Sequence, residues 1–382
     1  MNWSLWIGIL ALVLSVVAIG VLLAMRVELK ALEQRLKQTS TKVANAVVSH
    51  ESRRGPVYVI YNPSKPHDWD GIKRMLARAA SDASYPEPVW IETTEEDPGA
   101  GQTREALSHD PAVVIAAGGD GTVRVVSGEL AGSNVPLGIL ALGTGNLLAR
   151  NLELPINSIA DMAVIALTGR QKPLDVGWLE FVNEGGEETA FGDDGPGPDR
   201  HPFVVMAGIG FDAEIMASTD GDLKDKIGPL AYVKAAIPQL HTERMKATIY
   251  PGESSATGDS GVTTSARSVM FMNCGELTNG ILMDPNADPS DGWLELNVYD
   301  VRGGVFGWLD LVRRVGLNGL GVRSKEVPLP GVAGEISNHR VSECAVEVDA
   351  PRSVEADGDV LGATSKIHTW LDAAALTVRV RG

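Results

Sequence analysis

The stretch that decides the fold is "VVIAAGGDGTVRVV", running from Val113 to Val126. An apolar run collapses into Gly118-Gly119-Asp120-Gly121-Thr122, and an apolar run then resumes. A short continuous apolar segment bounded by glycine reads as a strand buried on both faces. Glycines at its end remove Cβ atoms where the backbone must approach something closely. The resumed run reads as a helix, whose first N–H groups and positive dipole end point back at the same turn. Phosphate is the natural guest there. Thr122 adds a hydroxyl donor, and Asp120 meets phosphate only through Mg2+ or a bound hydroxyl.

The arrangement recurs. Gly143-Thr144-Gly145-Asn146 follows the apolar "PLGILALG" (136–143) and opens another helix, and Asn62-Pro63-Ser64 closes the apolar "VYVIY" (57–61). Between and after these segments lie an amphipathic helix at 70–80, helical stretches at 101–110 and 156–169 and a further strand pattern, "EPVWIET" (87–93). Strands alternating with helices predict an open, mainly parallel sheet covered on both faces, so residues 56–173 are expected to form an α/β nucleotide-binding domain.

After Leu174 the texture changes. "LDVGWLEF", "PFVVMAGIG", "RMKATIYPG", "ARSVMFMNCGE", "GWLELNVYDV", "AVEVDAP" and "ALTVRVRG" read as strands joined by turns. Residues 174–382 are therefore expected to form a mostly antiparallel β domain, a β-sandwich. Two polar, glycine-rich segments, 183–201 and 251–267, read as mobile hairpin tips.

Met1 to Met25 contains no charged side chain, enough helix to cross a bilayer. Basic residues (Arg26, Lys30, Arg35, Lys37, Lys42, Arg53, Arg54) follow it and none precedes it. This predicts a single-pass transmembrane helix over 1–25, with the body on the cytoplasmic face of the cell membrane. Residues 26–55 read as a helical stalk and linker, with Leu29, Leu32 and Leu36 at helical spacing. A net charge of −16 over 382 residues argues against nucleic acid. Two cysteines, Cys274 and Cys344, both in apolar runs, make neither a disulfide framework nor a zinc site. The oligomeric state stays open, a homodimer included.

"GGDGT", "LGTGNLLAR", the strand ending "YNPS", "AGIGFDAE" and the late "DGD" (357–359) together resemble the diacylglycerol kinase catalytic family, over about residues 56–380. The resemblance implies a phosphofructokinase/NAD kinase-like α/β domain and an ATP- and Mg2+-dependent kinase acting on a diacylglycerol-like lipid alcohol at the membrane. It also implies an ATP pocket lined by Asn62, Pro63, Thr93 or Thr94, Gly118, Gly119, Asp120, Gly121, Thr122, Gly143, Thr144, Gly145 and Asn146. Asp359 matches the acid that accepts the hydroxyl proton, although the family has Glu there; Asp120 is the second catalytic candidate. "ADPSDGWLEL" (287–296) matches a segment that binds a structural Mg2+ through Asp288, Asp291 and the Trp293 carbonyl. Asp212, Glu214, Lys224 and Lys226 match the acceptor side. Ala141 and Leu147 depart from the family's usual Pro and Asp. The "GGDGT" turn also fits an NAD kinase-like small-molecule kinase, and Asp in place of Glu leaves room for an inactive nucleotide-binding scaffold.

Overall fold

The computed structural model describes residues 55–64, 66–182, 200–210, 244–252, 261–277, 282–301 and 334–382. The expected transmembrane helix and nearly all of the stalk, most of the 183–201 segment, and Asp212, Glu214, Lys224 and Lys226 lie outside these residues. Among the described residues, no helix is long and apolar enough to cross a membrane.

Four parallel strands carry the first half: β1 (Val57–Tyr61), β2 (Val89–Glu92), β3 (Val113–Gly118) and β4 (Leu137–Ala141), in the spatial order β4-β3-β1-β2. Every residue of β1, β3 and β4 is buried, as continuous apolar strands between two helical layers should be, whereas edge strand β2 is partly exposed. The helices are α1 (Trp69–Asp82), α2 (Ala100–Leu107), α3 (Asp120–Leu130), α4 (Leu147–Asn151) and α5 (Ile159–Thr168). In α1, Ile72, Leu76 and Ala80 recur every fourth position and are the buried residues, and Asp68 accepts from the Gly71 N–H to cap the start.

Among the described residues ten further strands follow: β5 (Arg170–Phe181), β6 (Arg200–Phe203), β7 (Met206–Gly210), β8 (Met245–Pro251), β9 (Val262–Ala266), β10 (Ser268–Met272), β11 (Leu294–Val301), β12 (Gly334–Val341), β13 (Glu343–Ala356) and β14 (Asp359–Val380). Ladders among these strands are antiparallel, as expected for this half. β5 runs across residue 174, where the texture of the sequence changes. The polar segment 251–267, read as a hairpin tip, contributes β9, whose Val262, Thr263 and Thr264 suit a partly exposed strand paired with β8.

The two halves share one sheet. β14 is 22 residues long. Its first part pairs with β13, its later part with β5, and Val378 pairs in parallel with Leu137 of β4. Helix α3 packs on both halves, against β3 and β6. It sits close to β6, because a Cβ on Gly128 would fall 2.5 Å from Cγ of Pro202. Two apolar clusters form the core: one around Ile115, Leu140 and Leu148 that reaches into the second half through Met206, Met270 and Cys274, the other around Phe203, Phe271 and Ile367.

Candidate active site

Strand register brings the sequence-predicted turns to one rim. Tyr61 pairs with Ala117, and Gly118 with Ala141, so β1, β3 and β4 end at the same level. The ladder continues into the turns: Asn62 N donates to Ala117 O at 3.3 Å, and Leu142 N to Gly118 O at 2.8 Å. Asn62, Pro63, Gly118–Thr122 and Gly143–Asn146 thus lie together at the carboxyl edge of the parallel strands, where open α/β sheets bind ligands.

The turns lock each other in place. A Cβ on Gly143 would come within 2.6 Å of the Gly119 Cα, so the two glycine turns pack backbone to backbone. Asn146 adopts a left-handed conformation (φ 52°) and binds both backbone groups of Gly143, accepting from N at 2.9 Å and donating to O at 2.7 Å. Arg150 Nε donates to the Gly145 carbonyl at 2.7 Å. His67, which the sequence reading did not single out, ties the loop after β1 to the same rim by a 2.9 Å contact from Nε2 to Leu142 O. The Asn62 side chain accepts from both N and Oγ of Ser64, closing its own turn.

Helix capping separates α3 from its neighbours. Asp68 caps α1, Asp97 accepts from Gly99, Ala100 and Gly101 N–H at the start of α2, and Ser158 caps α5. The short α4 takes its cap from Asp120, whose carboxylate accepts from Asn146 N at 2.8 Å and Leu147 N at 2.6 Å. For α3, no side chain among the described residues accepts from the N–H of Gly121 or Thr122, and its N-cap is Gly119. An uncapped helix start at a glycine rim is the feature that suits a phosphate. Asp120 itself is a positioning group, holding one glycine turn to the other. Burial pushes its carboxyl above the ordinary value, the Leu147 and Asn146 amides pull it back, and the nearby charge of Asp359 pushes it up again.

Asp359 reaches the rim from the other half of the molecule. β13 and β14 form a hairpin whose two turn residues, Asp357 (φ 48°) and Gly358 (φ 87°), both adopt positive φ, the geometry of a tight two-residue turn. Asp357 is the buried anchor: its carboxylate accepts from the N–H groups of Val204, Val205 and Met206 at 2.8–2.9 Å. Burial raises its carboxyl to about 6, against the pull of those amides. So anchored, the hairpin presents Asp359, half exposed, with Oδ2 only 2.7 Å from where a Cβ on Gly121 would sit. Arg124 Nη2, on the second turn of α3, donates to that same oxygen at 3.1 Å.

Other predicted residues do not join the rim through any such contact. Thr94 Oγ1 accepts from Asp97 N, and Thr94 N donates to Asp97 O, a local turn that places the α2 cap. Thr93, whose N donates to Tyr61 O, is the buried member of the pair. Asp288 accepts from Ser290 N and Oγ; Asp291 accepts from Trp293 N and faces Arg340 at 3.4 Å; Gly292 N donates to Asp175 of β5. Each of these carboxylates already has an amide, hydroxyl or arginine partner. Among the described residues, no group of three or more His, Cys, Asp or Glu side chains is placed to hold one. Both cysteines are buried, and burial pushes the Cys274 thiol up, so neither serves as a nucleophile at neutral pH.

A glycine-rich nucleotide-type rim facing a hairpin carboxylate is the class of site that fold and geometry define. Residues 56–179 match the family model described as the diacylglycerol kinase catalytic domain. The chain is 28% identical over 193 residues to a diacylglycerol kinase of Mycobacterium tuberculosis, covering 50% of this chain and 56% of that protein. It is 28% identical over 198 residues to a Klebsiella pneumoniae protein named "Probable lipid kinase YegS-like", covering 51% and 58%. The matches thus span little more than half the length of these curated relatives. The crystal structure of a diacylglycerol kinase from Bacillus anthracis shares the fold at TM-score 0.57, with 20% identity, over 85% of this chain and 97% of that one.

Proposed function

We propose that this chain is an ATP-dependent lipid kinase that phosphorylates the hydroxyl of diacylglycerol or a related lipid alcohol. The observation that carries the reading is the contact between the Asp359 carboxylate and Gly121 at the uncapped start of α3. One side of that contact suits phosphate and the other suits a hydroxyl proton, which is what transfer from nucleotide to alcohol requires.

The residues divide the work. Gly119, Gly121 and Thr122 offer backbone N–H groups and a helix dipole to the phosphates. Gly143, Asn146 and Asp120 keep the second turn packed against the first, so these donors are fixed before the nucleotide arrives. Asp359 accepts the proton of the substrate hydroxyl as its oxygen bonds to phosphorus and the bond to ADP breaks. When bound, MgATP supplies the phosphoryl group and the countercharge. Val360, beside Asp359, is among the large apolar side chains left exposed, which favours an amphipathic acceptor. The uncharged run 1–25 supports a membrane-anchored enzyme with its body in the cytoplasm.

The test is labelled phosphate transfer from ATP, with Mg2+, to lipid alcohols presented in mixed micelles. Labelled phospholipid is the expected product. Phosphorylation of NAD without lipid product overturns the reading in favour of a small-molecule kinase. ATP binding without transfer to any acceptor overturns it in favour of a scaffold. Fractionation of cells expressing the chain with and without residues 1–25 tests the anchor separately, the full chain being expected in the membrane pellet.

A further inference from the structure

We propose that Arg124 is the positioning residue for Asp359: its guanidinium holds the hairpin carboxylate against the start of α3. This rests on the reading of Asp359 as the group that accepts the hydroxyl proton. Arg124 is a cation in an otherwise apolar run, "TVRVV", and its side chain is buried with only 9% of its surface exposed. A buried guanidinium is retained only where its charge is answered. The answer here comes from a residue 235 positions downstream, Asp359, at 3.1 Å. The charge of Arg124 also reaches Asp357, on the other side of the hairpin turn, where it favours the ionised carboxylate.

The geometry assigns the two acids different parts. Both oxygens of Asp357 are taken by the amides of Val204, Val205 and Met206, so it cannot move toward a substrate. Asp359 has Oδ2 pinned between Arg124 and Gly121 while half its side chain remains exposed. With one oxygen held by Arg124, the other is left for the substrate hydroxyl. Arg124 Nε has no hydrogen-bond partner among the described residues, so the ion pair is the contact that fixes the guanidinium. An ammonium lacks the planar fork and does not reproduce this placement.

Steady-state kinetics of the full chain test the proposal, with Arg124→Met, Arg124→Lys, Asp359→Asn and the double variant Arg124→Met/Asp359→Asn. Arg124→Met is expected to lower kcat about 10- to 100-fold, with the KM for ATP within about twofold, because the carboxylate rather than the phosphate rim is disturbed. Arg124→Lys should fall between Arg124→Met and the unmodified protein. The double variant should be no more than about threefold slower than Asp359→Asn alone, since a residue acting through Asp359 has nothing left to act on. An Arg124→Met protein with unchanged kcat, or losses that multiply in the double variant, overturns the proposal. If Arg124→Met fails to fold, an Arg124→Lys protein that folds with unchanged kcat overturns it, and one with kcat lowered about threefold or more at constant KM supports it. Full turnover in Asp359→Asn removes the underlying reading of the base instead. An impaired Asp359→Asn beside a fully active Arg124→Met removes only the role of Arg124.

Discussion

The rim at 118–122 and the turn at 288–293 both set aspartate beside glycine next to a regular element, and both invite the same reading as a binding site. The structure separates them by what happens to their polar groups. In the 288–293 turn, Asp288, Asp291 and the Gly292 amide find partners in Ser290, Trp293, Arg340 and Asp175. At the rim, Asp120 is also occupied, yet its occupation serves to hold two glycine turns together, and the start of α3 has no side-chain cap among the described residues. A motif becomes a site when the fold satisfies its supporting groups and leaves the ligand-facing ones over. Buried polar groups must be paired, so an unpaired set at a sheet's carboxyl edge is informative, whereas a satisfied set is ordinary construction.

Several substitutions break or sharpen this contrast. The largest effect is expected for Asp359→Asn, which keeps the shape but removes the proton acceptor: turnover should fall about 10²- to 10⁴-fold, measured by labelled phosphate transfer. Gly143→Ala comes next. Its methyl group meets the Gly119 backbone, so nucleotide binding should be lost, and urea unfolding should show destabilisation of about 1–3 kcal/mol from overpacking. Asp120→Ala uncaps α4 and is expected to cost about 0.5–2 kcal/mol in the same unfolding measurement, with weaker ATP binding by calorimetry as the turns separate. Asp291→Asn should leave turnover within about twofold. A large loss that excess Mg2+ restores would make the 288–293 turn a site after all.

The smallest expected effect lies in the antiparallel half, where His368 bridges two acids, Nδ1 to Glu180 and Nε2 to Glu343, each at 3.0 Å. Burial opposes its charge, but hydrogen bonds to both glutamates outweigh that and raise its proton affinity above the ordinary value. The fold therefore favours the protonated ring. That stabilisation is fully present below the unfolded value, about 6.5, and is lost as pH rises through the raised folded value. The melting temperature should fall by about 1–2 °C across that window. His368→Gln should remove this part of the pH dependence while leaving turnover unchanged. This satisfied cluster, like the 288–293 turn, is expected to contribute stability rather than activity.

The parallel half was legible because its signals are local. Val113–Gly118 and Leu137–Ala141 are apolar throughout, the first ending in glycine and the second followed by Gly143 two residues on, and the turns that follow need only short-range register to meet. The antiparallel half was less so. In β12, "GEISNHRV" has too few apolar residues to announce a strand. The sequence reading recognised only the end of β14, because Gly362, Thr364 and Ser365, and then Ala373, Ala374 and Ala375, interrupt its alternation; the second group falls at a shift in register with β5. Asp359 was found through resemblance alone. Arg124 was missed because its meaning depends on a partner supplied by distant pairing; the one local signal, a cation amid valines, is ambiguous until the hairpin is in place.

The shared strand β14 has a consequence for how the molecule is made. The family-matched segment 56–179 stops far short of it, yet β4 has β14 as its neighbour on the side away from β3. A ribosome that has delivered the glycine turns has therefore produced a sheet with a bare apolar border, the kind of edge that recruits other chains. That border is sealed only after the whole antiparallel half has been synthesised, so folding should be slow, and nascent or truncated chains should be the ones that clump or call on chaperones.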